Sequence, residues 1–233
     1  MNKIEMKKRQ KFDLHIHSSF SDGKLSVAEI VDLYGGRGFS AIAITDHLAD
    51  SKSLNGLVAQ KLKLSLTREI MSEYLETIRV ESLRAKEKYN MLLIAGVEVT
   101  LNSWSKHKGA HIIFLNVDRY IEPDKSVLDL LKENREFFSI AAHPLWEESY
   151  EFKTTHLWDN RAELTEYFDA WECATGAKFS IEVYQSGLPI VASSDFHNMA
   201  QFESWKTQAY VDVVTVDKLF DEIRNRRVEP VWI

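Results

Sequence analysis

Two histidines one residue apart, His15 and His17, close the short apolar run that begins at Lys11, and four later apolar runs carry the same kinds of residue at their ends. Ala41 to Thr45 leads into Asp46 and His47, Met91 to Thr100 carries Glu98, Phe138 to Ala142 leads into His143, and Pro189 to Ser194 into Asp195 and His197. Imidazoles and carboxylates at the ends of five strand-like runs constrain the chain to an architecture that gathers strand ends. Strands alternating with helices provide one: an α/β barrel brings its strand ends to a single rim, where function collects.

Between these runs the apolar spacing turns helical. Val27, Ile30, Val31 and Tyr34 recur at helical intervals behind a Ser26 cap and stop at Gly35 and Gly36. The same reading predicts helices over Thr67 to Tyr89, Ser126 to Glu136, Ala177 to Gln185 and Thr215 to Arg227, and further strands over Phe168 to Ala174 and Trp205 to Val213, the last strand and helix coming before Val228 to Ile233. The run His111 to Val117 follows the Glu98 strand after only Leu101 to Ala110, whereas a parallel return needs about a dozen residues or more. It is therefore expected to return antiparallel, with His111 at the same rim as Glu98.

Composition narrows the function classes. At 233 residues, 45% hydrophobic and 27% charged, the chain fits one barrel-sized domain spanning 1–233 and not a disordered or fibrous protein. Lys+Arg 29 against Asp+Glu 35 leaves a formal charge of -6, which argues against gripping duplex phosphates, so no stable nucleic-acid partner is expected. Cys173 is the single cysteine, which excludes an intramolecular disulfide or a thiolate zinc cluster and fits a reducing compartment. Met1 to Lys11 is polar and basic, and nowhere do eighteen apolar residues run together. A cytoplasmic protein without a membrane partner is expected.

Any metal must then be held by imidazole and carboxylate. Side chains alternate along a strand with period two, so His15 and His17 share a face and form half of a metal site. Ser21-Asp22-Gly23, Thr45-Asp46-His47, Gly96-Val97-Glu98, His111, Ala142-His143-Pro144 and Ser194-Asp195-Phe196-His197 follow, and six of the 8 histidines fall on these positions. Oxygen and imidazole donors without thiolates suit Zn, Mn or Fe, with Mg possible, in a hydrolytic site.

In this order the motifs resemble the PHP (polymerase and histidinol phosphatase) family of metal-dependent phosphoesterases, over about Phe12 to His197, and more specifically its small stand-alone members. The resemblance implies a distorted seven-stranded, TIM-barrel-like α/β barrel with two to three divalent metals at one rim. Carried over by position, His15, His17, Glu98 and Asp195 would hold the first metal, Glu98 bridging to a second held also by His111 and His143. Asp22, His47 and His197 would hold the third. Such a cluster neutralises phosphate charge and supplies a hydroxide nucleophile near neutral pH, implying hydrolysis of a small phosphomonoester. Catalytic roles fall on Glu98, Asp46 and His197, with Asp46 expected to orient a metal ligand. Lys108, Trp146 and Glu172 are the expected substrate contacts, and the loops Asp50 to Leu66, Leu101 to Ala110 and Trp146 to Asn160 are expected to bound a pocket. His107 and His156 are read as surface residues, and Cys173 as a small buried hydrophobe. Two other functions compete: an exonuclease or phosphodiesterase acting on short nucleic acids, and a non-catalytic regulatory domain. An amidohydrolase is a further alternative, but no lysine is positioned to carry its bridging carbamate, and Glu98 occupies that place.

Overall fold

A computed structural model describes residues 9–51, 54–62, 64–101, 109–148, 151–210 and 215–233. The first unit runs from β1 (Gln10–Asp13) through α1 (Val27–Gly36) to β2 (Ala41–Ile44), which lies parallel to β1. Ser26 starts α1 with a reciprocal capping box to Glu29, and Val27, Ile30, Val31 and Tyr34 are its buried stripe. The short β3 (His47–Ala49) follows, then α2 (Leu54–Lys61), α3 (Met71–Tyr89) and β4 (Leu92–Leu101), which pairs in parallel with both β2 and β3.

β5 (Ala110–Leu115) does return antiparallel along β4, with Thr100 opposite His111. After α4 (Val127–Glu133), β6 (Phe138–Ala141) pairs antiparallel with β5. A hairpin of β7 (Leu145–Glu148) and β8 (Glu151–Thr154) stands apart from the sheet and leads to α5 (His156–Asp159) and α6 (Arg161–Leu164). β9 (Ala170–Thr175) lies parallel to β6; β10 (Lys178–Phe179), α7 (Ile181–Tyr184) and β11 (Ile190–Ser193) follow, β11 parallel to β9. The chain ends with β12 (Trp205–Ala209), α8 (Val216–Arg224) and β13 (Glu229–Trp232).

The result is a curled mixed sheet, and its strand count differs from the seven expected. Eleven strands join in one hydrogen-bonded sheet, because β12 and β13 extend it antiparallel beyond β1 while β3 and β10 add short rungs beside β4 and β9. Curling brings the β11 end back to the β1 end. Ile16 and Phe196 form a parallel bridge in which His17 N–H donates to the Phe196 carbonyl at 2.8 Å and Phe196 N–H to the His15 carbonyl at 3.2 Å.

Two apolar clusters hold this shape. Helices α1, α3 and α4 pack on the sheet through Val27, Ile30, Tyr74, Ile78 and Leu130, whereas Phe12, Leu14, Ala41, Ala43, Ile113 and Ile140 cluster with Leu219, Phe220 and Ile223 of α8. Phe220 of α8 stacks on Phe138 of β6 with ring centroids 4.2 Å apart, which fixes the helix against that cluster. Leu14 belongs to the second cluster and Ile16 to the first, so the strict alternation of β1 slips just where the histidines begin.

Three other expectations change. Within Ala177 to Gln185 only Ile181–Tyr184 is helical, since Gly176, at φ 58°, turns the chain back so that Lys178–Phe179 pairs with β9. The expected Asp50 to Leu66 loop contains α2, and Trp146 to Asn160 holds most of the β7–β8 hairpin and a helical turn. Among the described residues no helix is long and apolar enough to cross a membrane.

Candidate metal centre

The strand ends converge on Glu98. Its Oε1 lies 2.9 Å from His111 Nδ1, 3.2 Å from His143 Nε2 and 3.4 Å from His15 Nε2, and its Oε2 lies 2.7 Å from His47 Nδ1 and 3.7 Å from His17 Nε2. Asp195 Oδ1 stands 3.3 Å from His15 Nε2 and 3.2 Å from His17 Nε2. At the outer edge Asp22 Oδ1 is 3.2 Å from His197 Nε2 and 3.7 Å from His47 Nε2. All nine sequence-predicted ligands therefore meet. Their donor atoms form three groups that could each hold an ion: His15, His17 and Asp195; Glu98, His111 and His143; and His17, Asp22, His47 and His197.

The donor set fits divalent cations on a test internal to the structure. His15 Nε2, both ring nitrogens of His17 and Glu98 Oε2 are buried and make no hydrogen bond. Buried polar atoms without partners are costly, and here they share one location with lone pairs facing one another. Cations satisfy such a set.

Charge follows the same geometry. Burial, reinforced by the neighbouring His47, holds the His17 imidazole down at about 3, so it is neutral with a free lone pair. Burial opposes protonation of His47 too, but Glu98 outweighs it and lifts that ring to about 9. Burial would raise the Asp22 carboxyl, yet its bond to His197 and the nearby imidazoles bring it to about 2. Glu98 and Asp195 are likewise held well below the usual carboxylate range by their histidines in spite of burial.

Local structure explains how these side chains are aimed. His143 and Asp195 have positive φ, 26° and 52°, conformations that non-glycine residues adopt at a cost of about 1–3 kcal/mol and that concentrate at functional sites. His143 is held there by its N–H, which donates to Glu172 Oε2 at 2.8 Å. Gly23 lies where a Cβ would come within 2.2 Å of the His17 carbonyl oxygen, so only glycine lets the Asp22 loop close over that strand end.

Several expected roles are corrected. Glu172 is buried and fully engaged: Oε1 accepts from His15 Nδ1 at 3.0 Å, and Oε2 accepts from His143 N–H and, at 3.1 Å, from the Thr175 hydroxyl. Its oxygens are taken up by His15, His143 and Thr175, and the residue also lines a cavity beside them. Asp46 accepts from Ser18 N–H at 2.8 Å and from the Ser18 and Ser21 hydroxyls at 2.6 and 2.5 Å, so it shapes the loop that carries Asp22 and bonds no imidazole. Lys108 and His107 lie outside the described residues, and of Trp146 only its backbone place in β7 is described. His156 pairs with Asn160 at 3.2 Å away from the centre. The Cys173 thiol is buried and donates to the Val191 carbonyl at 3.3 Å, and burial pushes it up to about 12.

Sequence reading missed Thr100, whose hydroxyl is 2.9 Å from His47 Nδ1, and Gln201, whose side-chain oxygen accepts from His197 N–H at 2.8 Å. Thr100 carried a usable signal, standing two residues beyond Glu98 and so on the same face of β4. Two cavities open beside the ligands: one of about 250 Å³ touches His143, Glu172 and Asp195 and is walled by Thr175, Lys178 and Phe179, and one of about 280 Å³ touches Asp22, His47 and His111 and is walled by Ala49, Ala59 and Leu64.

Known proteins share this sequence and fold. An uncharacterized protein of Methanocaldococcus jannaschii is 29% identical over 143 residues, covering 58% of this chain and 58% of its own length. A 5'-3' exoribonuclease of Haemophilus influenzae is 30% identical over 127 residues, 54% of this chain and 36% of its own length. The chain thus spans less than two thirds of either relative. A two-domain protein of Bacteroides vulgatus, containing a predicted PHP-like metal-dependent phosphoesterase, superposes with a TM-score of 0.73 at 21% identity, over 97% of this chain and 65% of the other, and so shares the fold. The PHP domain model matches residues 13–181, from Asp13 at the end of β1 to the start of α7 and across most of the converging strand ends, and the chain belongs to the PHP domain family.

Proposed function

We propose that this chain is a metal-dependent phosphoesterase that hydrolyses a small phosphomonoester. The observation that carries the reading is the set of buried, unpartnered lone pairs on His15, His17 and Glu98 at the meeting point of the three ligand groups. His15, His17, Asp195 and Glu98 would hold one ion, Glu98, His111 and His143 a second, and Asp22, His47 and His197 a third. Divalent ions there would neutralise phosphoryl oxygens and bring the pKa of water towards neutrality.

The chain's own groups fix the rest. Glu172 Oε1 accepts a hydrogen bond from His15 Nδ1–H, the tautomer that leaves a lone pair on Nε2 towards Asp195 and Glu98. The Asp195 carbonyl does the same for His197 Nδ1 at 2.9 Å, turning its Nε2 towards Asp22. The Glu98 carboxylate, placed among His15, His47, His111 and His143, ties the inner and outer groups to one position.

Substrate size follows from space and charge. Cavities of about 250 and 280 Å³ match a compact alcohol, and a formal charge of -6 repels a long polyanion while a single phosphate meets that repulsion once. No stable nucleic-acid or membrane partner and a cytoplasmic setting complete the proposal. One observation supports a second reading, phosphodiester cleavage: with a cavity on each side of the ligands there is room for two ester substituents, and a relative is an exoribonuclease.

The deciding experiment loads chelator-treated protein with Mn or Zn and measures kcat/KM on a panel of nucleotides, sugar phosphates and other phosphomonoesters beside single-stranded oligonucleotides at fixed salt. Higher kcat/KM on the monoesters is expected. Degradation of oligomers with negligible phosphate release from the panel overturns the proposal in favour of the nuclease.

A further inference from the structure

Beside the ligand cluster lies a second set of buried polar groups that contributes no donor atom to it. Asp13 ends β1 with its carboxylate closed off from solvent. Its Oδ1 accepts the Ser194 backbone N–H at 3.0 Å, and its Oδ2 accepts the Ser194 hydroxyl at 2.6 Å and the Tyr34 hydroxyl of α1 at 2.9 Å. Lys206 of β12, equally buried, places its ammonium 3.6 Å from the same Oδ2 and donates to the Phe202 carbonyl at 3.0 Å and the Ser204 hydroxyl at 2.7 Å. Four elements, β1, α1, β12 and the end of β11, thus meet on one carboxylate.

A buried ion pair is weak evidence for stability, because apolar packing of the same volume serves as well or better. Its place in the fold carries more information. Ser194 immediately precedes Asp195, the ligand whose backbone sits at φ 52°. On the far side of Asp195, Phe196 is locked to the histidine strand through its N–H to the His15 carbonyl and its carbonyl to His17 N–H. The left-handed residue is therefore gripped before and after, and the grip before it is Asp13, which takes both the N–H and the hydroxyl of Ser194.

We infer that Asp13 is a positioning residue for the metal centre, holding Ser194 by two bonds so that Asp195 keeps the conformation that aims Oδ1 at both His15 and His17. This rests on the metal-centre reading above and adds how the centre is held. Tyr34 and Lys206 anchor Asp13; the Tyr34 hydroxyl also lies 3.4 Å from the Ser194 hydroxyl, a long contact beside the 2.6 Å bond from Ser194 to Asp13, so the hold on Ser194 rests on Asp13.

The test uses full-length protein, stripped with chelator and titrated with Co(II), whose visible absorption reports coordination geometry. Asp13→Asn, Ser194→Ala and Tyr34→Phe are compared with the unsubstituted chain, with a thermal melt for each. Asp13→Asn and Ser194→Ala are expected to weaken Co(II) binding roughly 10- to 100-fold, as loss of groups behind metal ligands does, and to alter the spectrum. Tyr34→Phe is expected to lower the melting temperature and leave affinity and spectrum unchanged. A folded Asp13→Asn or Ser194→Ala protein with unchanged affinity and spectrum overturns the inference, as does a loss of affinity that tracks melting temperature in all three. If Asp13→Asn fails to fold, Ser194→Ala decides alone, since it removes one hydroxyl. Failure of the unsubstituted chain to take up Co(II) is a separate result: it removes the metal-centre reading, and the role of Asp13 with it.

Discussion

His15, His17 and Glu98 have side-chain exposures of 0–1%, whereas Asp22, His47 and His197 keep 34, 19 and 20%. The buried half holds the unpartnered lone pairs, and its ligand His143 is strained and, like His15, held from behind by Glu172. At the exposed half, water can complete any donor the protein leaves open, although Thr100 bonds His47 and both Gln201 and the Asp195 carbonyl bond His197. Preorganised, desolvated donors bind a cation tightly and in one geometry, while donors open to solvent bind weakly and exchange. Ions would accordingly be held tightly at His15, His17 and Glu98 and would exchange at Asp22, His47 and His197.

The largest effect should come from the residue common to the buried groups. Glu98→Gln removes the charge that faces five imidazoles, and elemental analysis of the folded variant should show at least one metal equivalent lost together with nearly all turnover. Retention of full metal content by that variant would break the comparison at its centre.

Glu172→Gln should come next. The amide can still accept one bond but offers a donor where His143 N–H or His15 Nδ1–H needs an acceptor, so metal affinity of the buried half should fall roughly 10- to 100-fold. Calorimetric titration of stripped protein checks this. An Asp22→Ala variant should behave differently, losing only the weakest binding step and leaving the tight one intact. Equal loss of both steps would mean that the two halves act as one site.

The smallest effect lies outside the cluster and serves as a control on acid sensitivity. Glu222 of α8 is paired with Arg227 at 2.7 Å and Lys218 at 2.7 Å, and the Arg227 bond, first among the causes, brings its carboxyl from 4.5 to about 2. A depressed carboxyl stabilises the fold above its unfolded pKa, and that contribution fades as pH falls from about 4.5 through about 2. Both cations are close to half exposed, so the contribution is about 1 kcal/mol. Glu222→Gln should lower the melting temperature at pH 7 and match the unsubstituted chain near pH 2. A penalty that persists unchanged at the acid end would assign the effect to packing.

Much of the buried half was legible before any coordinates. His15 and His17 flank Ile16, whose bridge to Phe196 continues the extended spacing that leaves their rings 5.0 Å apart, and His111 reaches Glu98 because Leu101 to Ala110 is too short for anything but an antiparallel return, as the Thr100 to His111 register shows. Glu172 and Asp46 were placed correctly at strand ends, but the partners of their oxygens were not foreseen. A carboxylate at a rim looks the same in sequence whether its oxygens meet a substrate, an imidazole N–H or a loop backbone. The hairpin of β7 and β8 went unread because Leu145 to Thr154 shows neither clean alternation nor a strong turn pair.

By itself the amino-acid sequence determined the donor chemistry, the order of the strands that carry it and the direction of the one short return, since these depend on residue type, period and chain length. Tertiary structure alone decided which oxygen faces which nitrogen, why Asp195 and His143 sit in left-handed backbone, and that Asp13 reaches across 181 residues of chain to hold Ser194. Such partnerships depend on how far the sheet curls, seen where the Ile16–Phe196 bridge joins its ends, and on packing summed over many side chains that no local pattern records.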